Sequence, residues 1–220
     1  MSVVLLVRHG QASFEAADYD VLSAHGEEQS RLLGASLASR GVRPDLVVSG
    51  SMKRHRQTAS AAVEAAGWDV TVVEEAAWDE YDHLSTLIGG VVMEDLDGVS
   101  FEERVRRVEA SIDRWASGAH DDDYRESFPA FRERVTGAME RLVDELDAKQ
   151  TAVVFTSGGP ISWLAASLSG GAVDAWPRLS KVVVNSGVTK VLAGRRGTKL
   201  ISFNDHSHLE TTDASLITYR

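Results

Sequence analysis

The chain has 220 residues, 43% hydrophobic and 25% charged, enough for one large domain or two small ones. Its net charge of -10 disfavours a nucleic-acid partner, so an anionic ligand must be captured by local positive charge against the overall field. Cysteine is absent, which excludes disulfides and thiolate chemistry and fits a cytoplasmic protein, and neither a membrane-span run nor a signal-peptide pattern occurs.

Residues 3–7, VVLLV, read as a buried strand, because β-branched residues dominate and the run is too short for a core helix. Arg8, His9 and Gly10 follow at its C-terminal end, and ligands of open α/β sheets collect outside such ends. There a guanidinium neutralises an oxyanion, an imidazole attacks or transfers a proton, and a glycine lets the backbone come close. Residues 18–23 form a polar loop. Helical spacing follows over 24–40, with Leu32, Leu33 and Leu37 on one face and Gly41 as the stop. A short strand over 45–49, a helix over 52–66 ended by Gly67 and an edge strand over 70–73 complete an alternating half. That alternation predicts a parallel sheet with crossover helices.

After Glu80 the rhythm changes. Residues 84–96 are ambiguous, whereas Ser100 and Glu103 form a capping box before Phe101, Val105, Val108, Ile112 and Trp115 at helical spacing. The acidic run 121–123 reads as a solvated loop, and a long helix spans 129–146. Residues 151–156 are a further buried strand, leading into Ser157-Gly158-Gly159-Pro160 and a helix to about 168. Segments 182–192 and 199–203 alternate around a basic turn containing Arg195 and Arg196, as a hairpin does. The expected fold is a three-layer α/β/α sandwich with a mostly parallel sheet and an antiparallel edge. One domain over 1–220 is expected, with the block 84–147 as a helical insertion capping the sheet.

Three further stretches carry candidate chemistry. In SGSMKRHRQTA, residues 49–59, Arg54 sits at a helix start, which favours anions, while Lys53 and Arg56 suit a solvated face. In Trp78-Asp79-Glu80-Tyr81-Asp82, a carboxyl among aromatic rings would have a raised pKa and serve as a general acid, although an ordinary acidic loop fits equally well. TSGGP, residues 156–160, offers a backbone nest for an anion. It lacks the lysine of a P-loop, and Phe155 stands where a nucleophile elbow needs glycine.

Taken in order, LVRHGQAS, LSAHGEEQSRLLG, SGSMKRHRQTA, WDEYD and strand-TSGGP resemble the histidine phosphatase superfamily and its phosphoglycerate mutase-like fold. The likeness runs from residue 3 to about 209 and includes ESFPAFRERV (126–135), Asn204 and His208-Leu209. It implies that His9 is the nucleophile forming a phosphohistidine, that Arg8 and Arg54 clamp the phosphoryl oxygens, and that Glu80 donates the proton to the leaving oxygen. Gly10, Gln11, Ser157 and Gly158 would line the phosphate and substrate site.

One departure stands out. Where the family usually reads SHGG, this chain reads Thr156-Ser157-Gly158-Gly159, so Ser157 replaces the second histidine. A hydroxyl donates a hydrogen bond but no charge, and losing about 1.5–3 kcal/mol of charged hydrogen bonding slows turnover roughly ten- to a hundredfold. His55, His83, His206 and His208 are candidates to compensate, each read first as a surface or structural residue. His206 and His208 beside Asp205 make too small a set for a metal, and neither metal nor cofactor is expected.

The activity so implied is that of a phosphomonoesterase of histidine acid phosphatase type acting on a small phosphorylated substrate, without nucleic acid or membrane; a homodimer is left open. A phosphoglycerate mutase fits less well, because Gln11, Ala12 and Glu15 replace that enzyme's pattern and the Glu15 carboxylate would repel a phosphoglycerate. The rival from another class is a non-catalytic phospho-ligand binding protein of the same fold. Trp78, Tyr81, His83 and Leu84 are expected to line the entrance and set specificity.

Overall fold

The structure, a computed structural model, describes residues 1–13, 20–82, 100–194 and 197–219. Glu15, His83, residues 84–96 and the turn arginines Arg195 and Arg196 lie outside them. Its centre is strand β1 (Ser2–Arg8), which the apolar run VVLLV makes a core strand. β1 pairs in parallel with β4 (Thr151–Thr156), Arg8 lying opposite Thr156. β4 pairs in parallel with β2 (Leu46–Ser49), and β2 with β3 (Val72–Glu74). On the other side of β1 run antiparallel β5 (Val188–Gly194) and β6 (Gly197–Asp205), giving the order β3-β2-β4-β1-β5-β6. The expected mostly parallel sheet with an antiparallel edge is therefore present. Its register sets Arg8-His9, Thr156-Ser157 and Ser49-Gly50 side by side at one end.

Alternation along β1 assigns the layers. Leu5 and Val7 meet Leu33 and Leu37 of α1 (Ala24–Ser39) and Ala59 and Ala62 of α2 (Lys53–Ala66). Val4 and Leu6 face the opposite layer, built from α4 (Phe128–Glu145) and α5 (Gly158–Leu168), with Phe131, Val135, Met139, Ile161 and Leu164 buried there. Each such side chain withdrawn from water stabilises the sandwich by about 1.5–3 kcal/mol. The 128–145 part of the block after Glu80 thus packs on the sheet itself. The other long helix of that block, α3 (Phe101–Ala116), begins at the expected cap, where Ser100 Oγ accepts from Glu103 N at 3.2 Å.

Two elements differ from the expectation. The hairpin begins at Val188, because residues 182–187 leave the sheet to pass beneath the end of β1. There Ser186, at φ 60°, donates its N–H to Arg8 O at 3.1 Å. Between α5 and that loop lies an unanticipated helix, α6 (Ala172–Ser180), whose pattern is hidden by Pro177 and which is anchored by fully buried Trp176. A last short helix, α7 (Ser207–Glu210), follows β6. Among the described residues no helix is long and apolar enough to cross a membrane.

Candidate active site

The end of β1 is held from three sides. His9 N donates to Thr156 O at 2.9 Å, Asn185 Nδ2 donates to His9 O at 3.1 Å, and Gly10 N donates to Thr58 Oγ1 at 2.9 Å. Gly10 has to be glycine, since a Cβ there would lie 2.4 Å from Gly26 O of α1. The close approach it permits is to a helix of the protein, not to a ligand. Its carbonyl in turn defines the tautomer of His9. A carbonyl only accepts, so the 2.7 Å contact puts the proton on Nδ1 and leaves the lone pair on Nε2. Arg54 Nε–H donates to that Nε2 at 3.2 Å. Burial, then the charges of Arg54 and Arg8 and the neighbouring His55, push His9 well below the usual histidine range, against the Gly10 bond. His9 is thus a neutral imidazole with its lone pair turned towards a guanidinium.

Arg54 is 4% exposed at the start of α2, and its Nη1 donates to Asp20 Oδ1 at 2.6 Å. Asp20 Oδ2 also accepts from Lys53 N at 2.8 Å, so one carboxylate fixes both the helix start and the arginine. Nothing but its place in a polar loop marks Asp20 in the sequence. Arg8 Nη1 donates to Tyr219 O at 2.8 Å and to Val183 O, while its Nε lies near the backbone of Gly158. Gln11 has its amide oxygen engaged by Ser23 Oγ at 2.8 Å.

Glu80 faces the same strand ends. Its Oε2 accepts from Gly159 N at 3.1 Å, and a Cβ on Gly159 would fall 2.0 Å from Oε1, so the helix start is shaped around this carboxylate. The loop carrying it is braced from behind. Arg134 donates to Ala77 O and Asp79 O, both at 2.9 Å, and forms a fork on Glu126 at 2.6 and 2.9 Å. The ESFPAFRERV stretch is therefore a buckle for the acidic loop. Trp78 does not line an entrance: it is fully buried in the core, and Thr156 Oγ1 donates to its carbonyl. Tyr81 stacks on Trp115 at 4.7 Å and belongs to the aromatic layer beneath the site. Both rings turn inward because the chain folds tightly after β3, in a short turn over Ala76–Trp78.

The four histidines considered as compensators part ways. His83 lies outside the described residues. His206 Nδ1 donates to Asn204 O at 2.7 Å, and His208 Nε2 bonds Ser186 Oγ at 2.8 Å, so the two rings have separate partners. Among the described residues no group of three or more metal-ligating side chains is assembled. His55, by contrast, is fully buried beside the site, its ring centroid 5.6 Å from that of His9. Its Nε2 lies 2.6 Å from Ser157 Oγ and its Nδ1 3.5 Å from Asp79 Oδ1, longer than a hydrogen bond. Asp79 is anchored by Ser51 N at 2.6 Å and by the Ser51 hydroxyl.

His208 gives the site's scaffold a pH dependence. Burial lowers it from 6.5 to about 4. Below about pH 6.5 the unfolded chain binds a proton that the folded chain refuses, so stability falls as pH drops from about 6.5 towards 4. At pH 5 this one group is expected to cost about 2 kcal/mol relative to pH 7.5. Urea midpoints at the two pH values check it: His208→Gln flattens the difference by that amount, and an unchanged slope contradicts it.

Comparison with known proteins places the fold. Residues 4–206 match the family model of the histidine phosphatase superfamily, branch 1. A 2,3-bisphosphoglycerate-dependent phosphoglycerate mutase from Thermobifida fusca is 42% identical over 74 residues, 30% of each chain. A broad-specificity phosphatase from Saccharomyces cerevisiae is 27% identical over 150 residues, 64% of this chain and 58% of that one. The chain thus spans less than two thirds of the length of either curated relative. Among solved structures, an Entamoeba histolytica phosphoserine phosphatase mutant in complex with phosphoserine superposes with a TM-score of 0.69 at 19% identity, covering 95% of this chain and 100% of that one. A Bacillus anthracis phosphoglycerate mutase superposes at 0.68 and 19%, covering 95% of each.

Proposed function

The chain belongs to branch 1 of the histidine phosphatase superfamily, and from that premise we propose that it hydrolyses a phosphomonoester through a phosphohistidine on His9. One observation carries the reading: a buried neutral imidazole whose Nε2 lone pair meets the Arg54 guanidinium at 3.2 Å. Phosphoryl transfer asks a protein mainly for positioning and for positive charge on the equatorial oxygens, and Arg8 and Arg54 supply that charge.

In the first half-reaction the Nε2 lone pair forms the N–P bond as the P–O bond to the alcohol breaks. The leaving oxygen takes a proton from the Glu80 carboxyl. The positive charge that grows on the ring is stabilised by the Nδ1–H bond to Gly10 O. In the second, water attacks phosphorus and gives its proton to the Glu80 carboxylate, the N–P bond breaks, and inorganic phosphate leaves. A covalent intermediate of this kind divides one difficult displacement into two easier ones. Ser157 stands, in this reading, where the family carries its second histidine. The substrate is a small phosphate ester, and the mutase alternative is not preferred because Gln11, Ala12 and Glu15 depart from that enzyme's sequence pattern.

The role of Glu80 is tested by varying the leaving group. Glu80→Gln is expected to cut kcat for an alkyl phosphate by roughly a hundred- to a ten-thousandfold. For para-nitrophenyl phosphate, whose leaving group needs no proton, phosphoenzyme formation, read from the burst of nitrophenol, slows far less, while the shared second step slows for both esters. Equal losses in the rate of phosphoenzyme formation on both esters would remove Glu80 from proton donation to the leaving oxygen.

A further inference from the structure

Two buried polar residues beside His9, His55 and Ser157, and the half-buried carboxylate of Asp79 have no proton-transfer part in the mechanism above. His55 packs its ring 5.6 Å from His9, touches Ser157 Oγ with Nε2 and turns Nδ1 towards Asp79. The arrangement is built in. Gly50 has to be glycine, because a Cβ there would lie 2.2 Å from His55 Nδ1 and 2.7 Å from Asp79 Oδ1. Ser51, the next residue, holds both oxygens of Asp79. Burial and Arg54 keep His55 below its usual range, opposed by Asp79 and Glu80. Burial works against the Asp79 charge, yet the nearby His55 ring and the two bonds from Ser51 hold its carboxyl below the usual carboxylate range.

We propose that His55, acting through the Ser157 hydroxyl and backed by Asp79, supplies the positive charge that a second histidine supplies elsewhere in the family. His55 is a positioning residue and Ser157 the group that touches phosphate. As folded, Nδ1–H faces Asp79 and Nε2 accepts the Ser157 proton. When a phosphate dianion settles against His9, His55 takes up one proton from solvent. Its Nε2–H then donates to Ser157 Oγ, and the Ser157 O–H turns to donate to a phosphoryl oxygen. The charged and titratable groups that set this balance are His9 at the end of β1, Arg54 on the helix of His55 itself, and Asp79 and Glu80 on the acidic loop. The proposal rests on the phosphohistidine reading, and it explains how a site without the second histidine keeps its charge.

A corollary concerns space. The ring of His55 already reaches the hydroxyl of residue 157, so an imidazole introduced at 157 has no room while His55 is present.

Four variants test this: His55→Gln, which keeps a hydrogen bond to Ser157 but cannot be charged, His55→Ala, Ser157→His, and the exchange His55→Ala/Ser157→His. Turnover of para-nitrophenyl phosphate is measured for each, with melting temperature as the control for folding. Each single variant is expected to lose about ten- to a hundredfold in kcat, and the exchange to regain most of it. In parallel, calorimetry of inorganic phosphate binding in buffers of different ionisation enthalpy counts protons. The wild type is expected to take up about one proton more than His55→Gln. A folded His55→Gln variant with wild-type turnover and the same uptake overturns the proposal, as does an exchange variant no better than Ser157→His. If the wild type binds phosphate but turns over no ester, the phosphatase reading falls, and the proton count still decides the role of His55. Failure to bind phosphate at all overturns both.

Discussion

Alanine at position 9 is expected to remove phosphatase turnover by at least ~10³-fold while leaving the protein folded, the scale of loss seen when a covalent nucleophile is deleted. The physical reason is specific to one atom. Gly10 O holds the proton on Nδ1, so the lone pair has nowhere to be but Nε2, and burial with two arginines nearby keeps that nitrogen unprotonated. Asparagine, which can donate but has no imidazole lone pair, is expected to do no better than alanine. The acid limb of kcat/KM should fall below 6.5, because the group that must stay neutral in the free enzyme is lowered by its surroundings. Steady-state kinetics across pH checks both statements. A His9→Ala variant with a tenth of wild-type activity contradicts them.

Loss of the Arg54 guanidinium ranks second. Arg54→Ala is expected to lower kcat about a hundred- to a thousandfold, the cost of removing one preorganised charged donor from a buried site. Arg54→Lys should recover little. The arginine spans two partners at once, His9 Nε2 through Nε and Asp20 through Nη1, and a single ammonium cannot reach both. A lysine variant within threefold of wild type would show that charge alone matters here and that the fork does not.

Much of the fold could be read ahead because the signals were local. An apolar five-residue run ending in Arg8-His9-Gly10 sits in the middle of the sheet, and Ser100 caps the helix it was expected to cap. What stayed hidden depends on partners distant in the chain. Asp20 reads as loop, and only the folded chain brings it to Arg54, 34 residues on. Asn185 and Ser186 interrupt an alternating pattern in order to hold the backbone of Arg8 and His9, and the strand was therefore expected too early. His55 lies in the run Lys53-Arg54-His55-Arg56, which resembles a solvated helix face, yet Arg54 and His55 turn inward. Room for the ring comes from Gly50 in the preceding loop. Trp78 reads as an entrance residue because it lies beside Glu80 and the insertion that follows, yet it is buried in the core within the short turn Ala76–Trp78.

The most direct measurement is a rapid-quench experiment with a phosphate ester labelled at phosphorus, followed by mass spectrometry under alkaline conditions that preserve phosphohistidine. The expected result is a phosphoryl group on His9 Nε2, formed and lost at rates compatible with kcat and absent from His9→Ala. Turnover with no protein-bound phosphoryl group, or with the label on any other residue, would contradict the assignment of His9 as nucleophile.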